Sequence, residues 1–118
     1  MKKIVILLIT LCLCGCSNSI SKTGVITYED ALNLIEKDAI LVDVRTESEY
    51  NEEHIDNAIL MPLDTINEST SNNIIDSKNK IVIVYCKSGN RSKQAQEILN
   101  QLGYANVYNL GSIYNWQG

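Results

Sequence analysis

Cys86 stands at the junction of an apolar run, Ile81-Val82-Ile83-Val84, and an amphipathic run that continues to Leu102. Between them lies Tyr85-Cys86-Lys87-Ser88-Gly89-Asn90-Arg91-Ser92. The first run is apolar and β-branched, whereas Ala95, Ile98, Leu99 and Leu102 recur at helical spacing. The cysteine is therefore expected to end a buried strand, followed by a short glycine-containing loop and a helix. Such a loop aims successive backbone N–H groups and the positive end of a helix at one sulfur. The chemistry this suits is that of a stabilised thiolate nucleophile in an anion cradle. Lys87, Arg91 and Lys93 place positive charge around it in a chain of net charge −4, and Ser88 and Ser92 add hydroxyl donors. The competing reading is a buried structural thiol, a frequent fate of a free cysteine.

The elements that must position this loop alternate along the chain. Gly24-Val25-Ile26 is a short strand candidate, and Thr27 is placed to cap a helix over 28–37, with Asp30 completing a capping box. Ile40-Leu41-Val42-Asp43-Val44 suits a strand buried on both faces. Thr46-Glu47-Ser48-Glu49-Tyr50 opens a short polar helix, where Arg45 and Glu49, four apart, are expected to pair. Ala58 to Met61 is a third strand, stopped by Pro62. Residues 63–79 are polar, with helical character near Ile66 and Ile74-Ile75. Ile81 to Tyr85 is the fourth strand, and Gly103 stops the helix after Cys86. Val107 to Leu110 is the fifth, with Gly111 opening a last turn that holds Ile113 and Trp116. Alternating strands and helices predict an α/β fold with a mostly parallel sheet, whose ligands bind beyond the carboxyl ends of the strands. Asp43 and Cys86 both fall at that edge.

With 118 residues there is room for one domain. No basic stripe or helix marks a nucleic-acid partner. There is no metal-ligand spacing, no P-loop pattern and no cofactor signature. Met1-Lys2-Lys3, the apolar run from Ile4 to Leu13 and Cys14-Gly15-Cys16 have the three regions of a secretory signal, and the run is too short to span a bilayer, which takes about 20 residues. Leu13-Cys14-Gly15-Cys16 resembles the bacterial lipobox. That resemblance implies removal of residues 1–15, a diacylglycerol thioether on Cys16, a tether over 16–23 and a domain over 24–118. The domain would then be membrane-anchored and extracytoplasmic. Of the four cysteines, Cys12 and Cys14 would leave and Cys16 would be acylated, making Cys86 the one free thiol of the mature chain.

Three further motifs carry a family resemblance. Val42-Asp43-Val44-Arg45-Thr46-Glu47-Ser48-Glu49-Tyr50, His54-Ile55, Ala58 and Met61-Pro62 resemble the N-terminal signature of rhodanese (thiosulfate sulfurtransferase) domains. Ile81 to Ser92 resembles the family's strand, cysteine loop and helix. Gly103-Tyr104, Asn106-Val107-Tyr108, Leu110-Gly111 and Ile113 to Trp116 resemble its C-terminal signature. The likeness implies a three-layer α/β/α sandwich with a five-stranded parallel sheet in the order 1-5-4-2-3. Glu53 and Asn57 stand where the family often has glycine, and Gly111-Ser112 where it usually has two.

The resemblance implies that Cys86 takes a sulfane sulfur from an anionic, thiosulfate-like donor as a persulfide and passes it to a thiol or cyanide acceptor. Lys87, Ser88, Gly89, Asn90, Arg91 and Ser92 would bind the substrate, and Asp43 and Arg45 would support the site. Four residues separate Cys86 from Arg91; in the family, this shorter loop goes with sulfur transfer, and a loop one residue longer with cysteine phosphatases or arsenate reductases. Arsenate reduction by a thiol relay would also need a resolving cysteine. A carrier or docking module of the same fold, without turnover, is the remaining alternative. His54 is an evident general-base candidate by residue type, and its place in the signature implies a structural role instead.

Overall fold

The structure is a computed structural model that describes residues 19–118. The signal sequence expected over 1–15 and the lipidation expected at Cys16 lie outside the described residues. In chain order the main elements are helix α1 (Tyr28–Glu36), strand β1 (Ile40–Asp43), helix α2 (Glu47–Glu52), strand β2 (Ile59–Leu60), helix α3 (Glu68–Ile74), strand β3 (Ile81–Cys86), helix α4 (Asn90–Gln101) and strand β4 (Asn106–Ser112). Short 3-10 turns follow β2 (Leu63–Thr65) and β4 (Ile113–Asn115). Among the described residues, no helix is long and apolar enough to cross a membrane.

The sheet has four parallel strands in the order β2-β1-β3-β4, not the five expected. Gly24-Val25-Ile26 does not form a strand; it contributes one parallel bridge, Val25 to Asn109, and the Ile26 N–H donates to the Asn109 carbonyl at 2.9 Å. Gly24, in the left-handed region at φ +75°, precedes the bridge, and the Thr27 cap follows it directly. Turn and helix leave no length for a ladder. β2 is likewise only two residues long, ending before Pro62, which has no N–H to give.

Period-two alternation sends side chains to opposite faces, and two cores result. Val42, Val44, Val82, Val84, Cys86 and Val107 meet Ala95 and Leu99 of α4 on one face. Leu41, Ile83, Tyr85, Tyr108 and Leu110 meet Ala31 and Leu34 of α1 on the other. The sheet is thus sandwiched between helical layers, and β1 and β3 are buried on both faces, as their continuous apolar runs require. Ile20 packs on the α1-side core, and the Lys22 carbonyl accepts from Gln96 Nε2 at 3.0 Å.

All three short helices begin in the same way. Thr27, Thr46 and Asn67 each accept from the N3 backbone N–H, and the N3 side chain of Asp30, Glu49 or Thr70 accepts from the cap in return. Asn57 adopts φ +71°, a conformation asparagine tolerates. Glu53 is extended at φ −167°, so no glycine is needed there.

Candidate active site

Cys86 ends β3 and is fully buried at the floor of the loop 87–89. Gly89 reverses the chain at φ +100°, a conformation that strains any residue with a Cβ. This turn brings two N–H groups onto one atom: Gly89 N donates to Cys86 Sγ at 2.9 Å and Ser92 N at 3.3 Å. Ser92 Oγ is 3.5 Å from the sulfur and donates to the Gly89 carbonyl at 3.0 Å. Because Gly89 is also the N-cap of α4, no side chain caps the helix. The first N–H groups of a helix have no partner within it, so those of Asn90 and Arg91 face the end where the sulfur sits.

Burial pushes the Cys86 thiol up, but the Ser92 hydroxyl and the Ser92, Gly89 and Ser88 N–H groups together outweigh it. The net position is below the ordinary thiol value, so the thiolate is favoured. The local chain thus surrounds a nucleophile with backbone N–H donors and the Ser92 hydroxyl, with Cys86 carrying a free thiol.

The cations are arranged otherwise than expected. Arg45 does not pair with Glu49. Its Nε lies 3.0 Å from Asp43 Oδ1 and its Nη2 2.7 Å from Asp43 Oδ2. Glu49 instead receives Arg91 in two parallel bonds, Nη1 to Oε1 at 2.8 Å and Nη2 to Oε2 at 3.0 Å. The reason is the cap: Glu49 turns its carboxylate toward Thr46 at the N-terminus of α2, and this end faces α4. The Arg91 guanidinium holds the Glu49 carboxyl down at about 2. Lys87, Ser88 and Asn90 are exposed at the loop surface, as is Lys93.

Asp43 belongs to a buried network behind the loop. Its Oδ2 accepts from Tyr85 Oη at 2.7 Å, and Tyr85 Oη accepts from Ile55 N at 3.1 Å. Arg45 Nη2 reaches the Glu53 carbonyl at 2.7 Å. Burial, first, and the Asp43 bond push the Tyr85 phenol well above its ordinary value, so it stays a donor. The network joins the ends of β1 and β3 to the segment leading into β2. His54 stacks on Tyr50 at 3.7 Å and its Nδ1 lies 2.8 Å from the Tyr50 carbonyl, within the α2 turn.

Three contributors escaped the sequence reading. Tyr85 looked like part of an apolar strand, although a buried phenol needs a polar partner. Ser112 Oγ donates to the Lys87 carbonyl at 2.6 Å and so pins the loop to β4. It reaches there because β4 bulges: Val84 pairs with Asn109 but Tyr85 with Gly111. Gly111 makes the bulge possible at φ +82°, where a Cβ would meet Val25 Cγ1 at 3.2 Å. A lone glycine at the end of a strand pattern, between Leu110 and Ser112, is the available signal. Among the described residues, no group of three or more His, Cys, Asp or Glu side chains could hold a metal ion.

Comparison with known proteins agrees with this geometry. The sequence pattern described as Rhodanese-like domain matches residues 27–118. The chain is 42% identical over 72 residues to the thiosulfate sulfurtransferase PspE of Escherichia coli, covering 61% of this chain and 68% of that protein. It is 34% identical over 95 residues to the tRNA uridine(34) hydroxylase of Photorhabdus laumondii, covering 76% of this chain but only 27% of that longer protein. Among solved structures, a rhodanese with anions from E. coli superposes with a TM-score of 0.62 at 36% identity, covering 65% of this chain and 89% of that one. A strand-loop-helix thiolate cradle on a parallel sheet, matched by that pattern over most of its length, places this chain in the rhodanese-like domain family.

Proposed function

We propose that the protein is a sulfurtransferase that carries sulfane sulfur as a persulfide on Cys86. One observation carries this reading: the N–H groups of Gly89 and Ser92 converge on Cys86 Sγ, with the uncapped start of α4 beside them. The Cys86 thiolate attacks the outer sulfur of a thiosulfate-like anion. A new S–S bond forms, and the donor's own S–S bond breaks with its electron pair leaving on sulfite. The terminal sulfur of the persulfide then carries negative charge beside donors already in place, as an oxyanion does in its hole. A nucleophilic acceptor takes that sulfur and returns the Cys86 thiolate. The names of the sulfurtransferase relatives support the reaction class.

Lys87 stands exposed at the mouth to attract the donor anion, with Ser88 and Asn90 beside it. Arg91, already paired with Glu49, orders the loop more than it binds an anion. Asp43 and Arg45 support from behind. We further propose, on the lipobox resemblance at Cys16, that the mature protein is a membrane-anchored, extracytoplasmic lipoprotein.

The test is intact mass after exposure to thiosulfate, together with thiocyanate formed from thiosulfate and cyanide. The expected result is one added sulfur that a thiol removes, and loss of both signals in Cys86→Ser. Unchanged turnover in Cys86→Ser would sink the proposal.

A further inference from the structure

Beside the cysteine lies a cleft of about 180 Å³ that the mechanism above does not use. It is lined by Val44, Arg45, Thr46, Pro62, Leu63, Asp64 and Arg91. Its position follows from the sheet. Asp43 pairs with Tyr85 across β1 and β3, so Val44, the next residue, stands beside Cys86. The Val44 N–H donates to the Tyr85 carbonyl at 3.1 Å, and the Val44 and Cys86 side chains join the same core cluster. The separation is one strand spacing, about 4.8 Å. On its far side, the Val44 carbonyl accepts from Leu63 N at 3.0 Å, which fixes Pro62 and Leu63 as the opposite wall. Arg91, from the cysteine loop's own helix, closes the third side. Val44 and Arg91, two walls of the cleft, are thus also neighbours of Cys86.

Its chemistry is apolar, with a negative rim. Val44, Pro62 and Leu63 offer hydrocarbon. The two arginines offer no free charge, because Asp43 holds one and Glu49 the other, each through two oxygens. Asp64 is exposed at the edge. Each guanidinium is already neutralised by a carboxylate, so an inorganic anion meets no uncompensated positive charge here, and a carboxylate-bearing molecule meets Asp64 at the rim. The volume lies below the roughly 300–1,000 Å³ of sites for drug-sized ligands, so the occupant is a fragment of a few carbon atoms.

Resting on the persulfide reading, we propose that this cleft is the acceptor subsite, and that the acceptor is a small uncharged thiol with a hydrocarbon body. With the body against Val44 and Leu63, the acceptor thiolate attacks the terminal sulfur of the Cys86 persulfide. The acceptor–sulfur bond forms, and the Sγ–S bond breaks with its electron pair returning to Cys86 Sγ. The proton of the acceptor thiol ends on the transferred sulfur. Thiol plus enzyme persulfide becomes organic persulfide plus enzyme thiolate, with no other reactant.

The experiment loads the protein with thiosulfate, confirms the added sulfur by mass, and measures discharge by propanethiol and by mercaptosuccinate, each corrected for thiolate fraction. Discharge by propanethiol is expected to be faster by at least about tenfold, the scale of a few buried methylenes. Leu63→Asp is expected to remove most of that preference by lowering the propanethiol rate. Asp64→Lys, an exposed change that spares the core, is expected to narrow it by raising the mercaptosuccinate rate. Equal corrected rates in the unaltered protein, or a preference that both substitutions leave intact, would overturn the subsite. Failure to load sulfur at all is a separate result, and it removes the sulfur-transfer reading together with the subsite built on it.

Discussion

Two arginine–carboxylate pairs stand at the carboxyl edge of this sheet, and they differ in burial and in what they hold. The Asp43–Arg45 side chains are 0% and 5% exposed; Tyr85 Oη donates to Asp43 and accepts from Ile55 N, and Arg45 donates to the Glu53 carbonyl. The Glu49–Arg91 side chains are 26% and 32% exposed and join only two helix ends. The first pair is a framework: it ties β1, β3 and the lead into β2 together. The second is a latch on the first turn of α4, which carries the donors to Cys86. Identical functional groups thus serve the fold in one place and the loop in the other. Burial decides which, since desolvation makes a broken buried pair far costlier than a broken surface one.

The largest expected effect comes from breaking the framework. Asp43→Asn leaves the Arg45 charge buried without a counter-charge. Loss of one partner of such a pair costs about 3–5 kcal/mol. Denaturant unfolding should show a midpoint far below that of the unaltered protein, with the slope little changed. A loss under 1 kcal/mol would show that water reaches Arg45 and that the two pairs do not differ in kind.

The framework was partly legible from sequence, and the latch was not. Asp43 in an apolar run announces a buried carboxylate that requires a partner. Which arginine it takes depends on chain direction after the strand. Arg45 folds back two residues, whereas a helical i, i+4 pair with Glu49 was the local expectation. Glu49 is drawn away by its own capping role and by Arg91, 42 residues on. That contact exists only once the sheet sets α2 beside α4. The strand-cysteine-loop-helix unit was readable because every part of it is local. The weakest strand was over-read for the same reason. Val25 and Ile26 have strand chemistry, but the glycine turn before them and the cap after them leave one bridge.

Releasing the latch should act more on the sulfur than on the fold. Glu49→Gln is expected to cost about 1 kcal/mol or less, as exposed pairs do. It also leaves the Arg91 charge unneutralised near Cys86, which favours the thiolate further. The pH dependence of Cys86 alkylation should therefore shift to lower pH than in the unaltered protein. A shift to higher pH would mean that the pair matters chiefly for holding the Ser92 and Gly89 donors in place.

The smallest effect separates the pairs most directly. Glu49 is held at about 2 against an ordinary 4.5. A lowered carboxylate contributes stability above its unfolded value and loses it as pH falls through the folded one. The stability gap between the unaltered protein and Glu49→Gln should therefore be full above pH 4.5 and close by about pH 2. Salt gives an independent check at neutral pH. Raising ionic strength from physiological to 1 M shortens the screening length from about 8 Å to about 3 Å. That should erode the Glu49 gap, a few tenths of a kcal/mol, while leaving the Asp43→Asn gap nearly constant, because ions do not enter the space around Asp43 and Arg45. Equal salt sensitivity of the two gaps would mean that burial is not what distinguishes framework from latch.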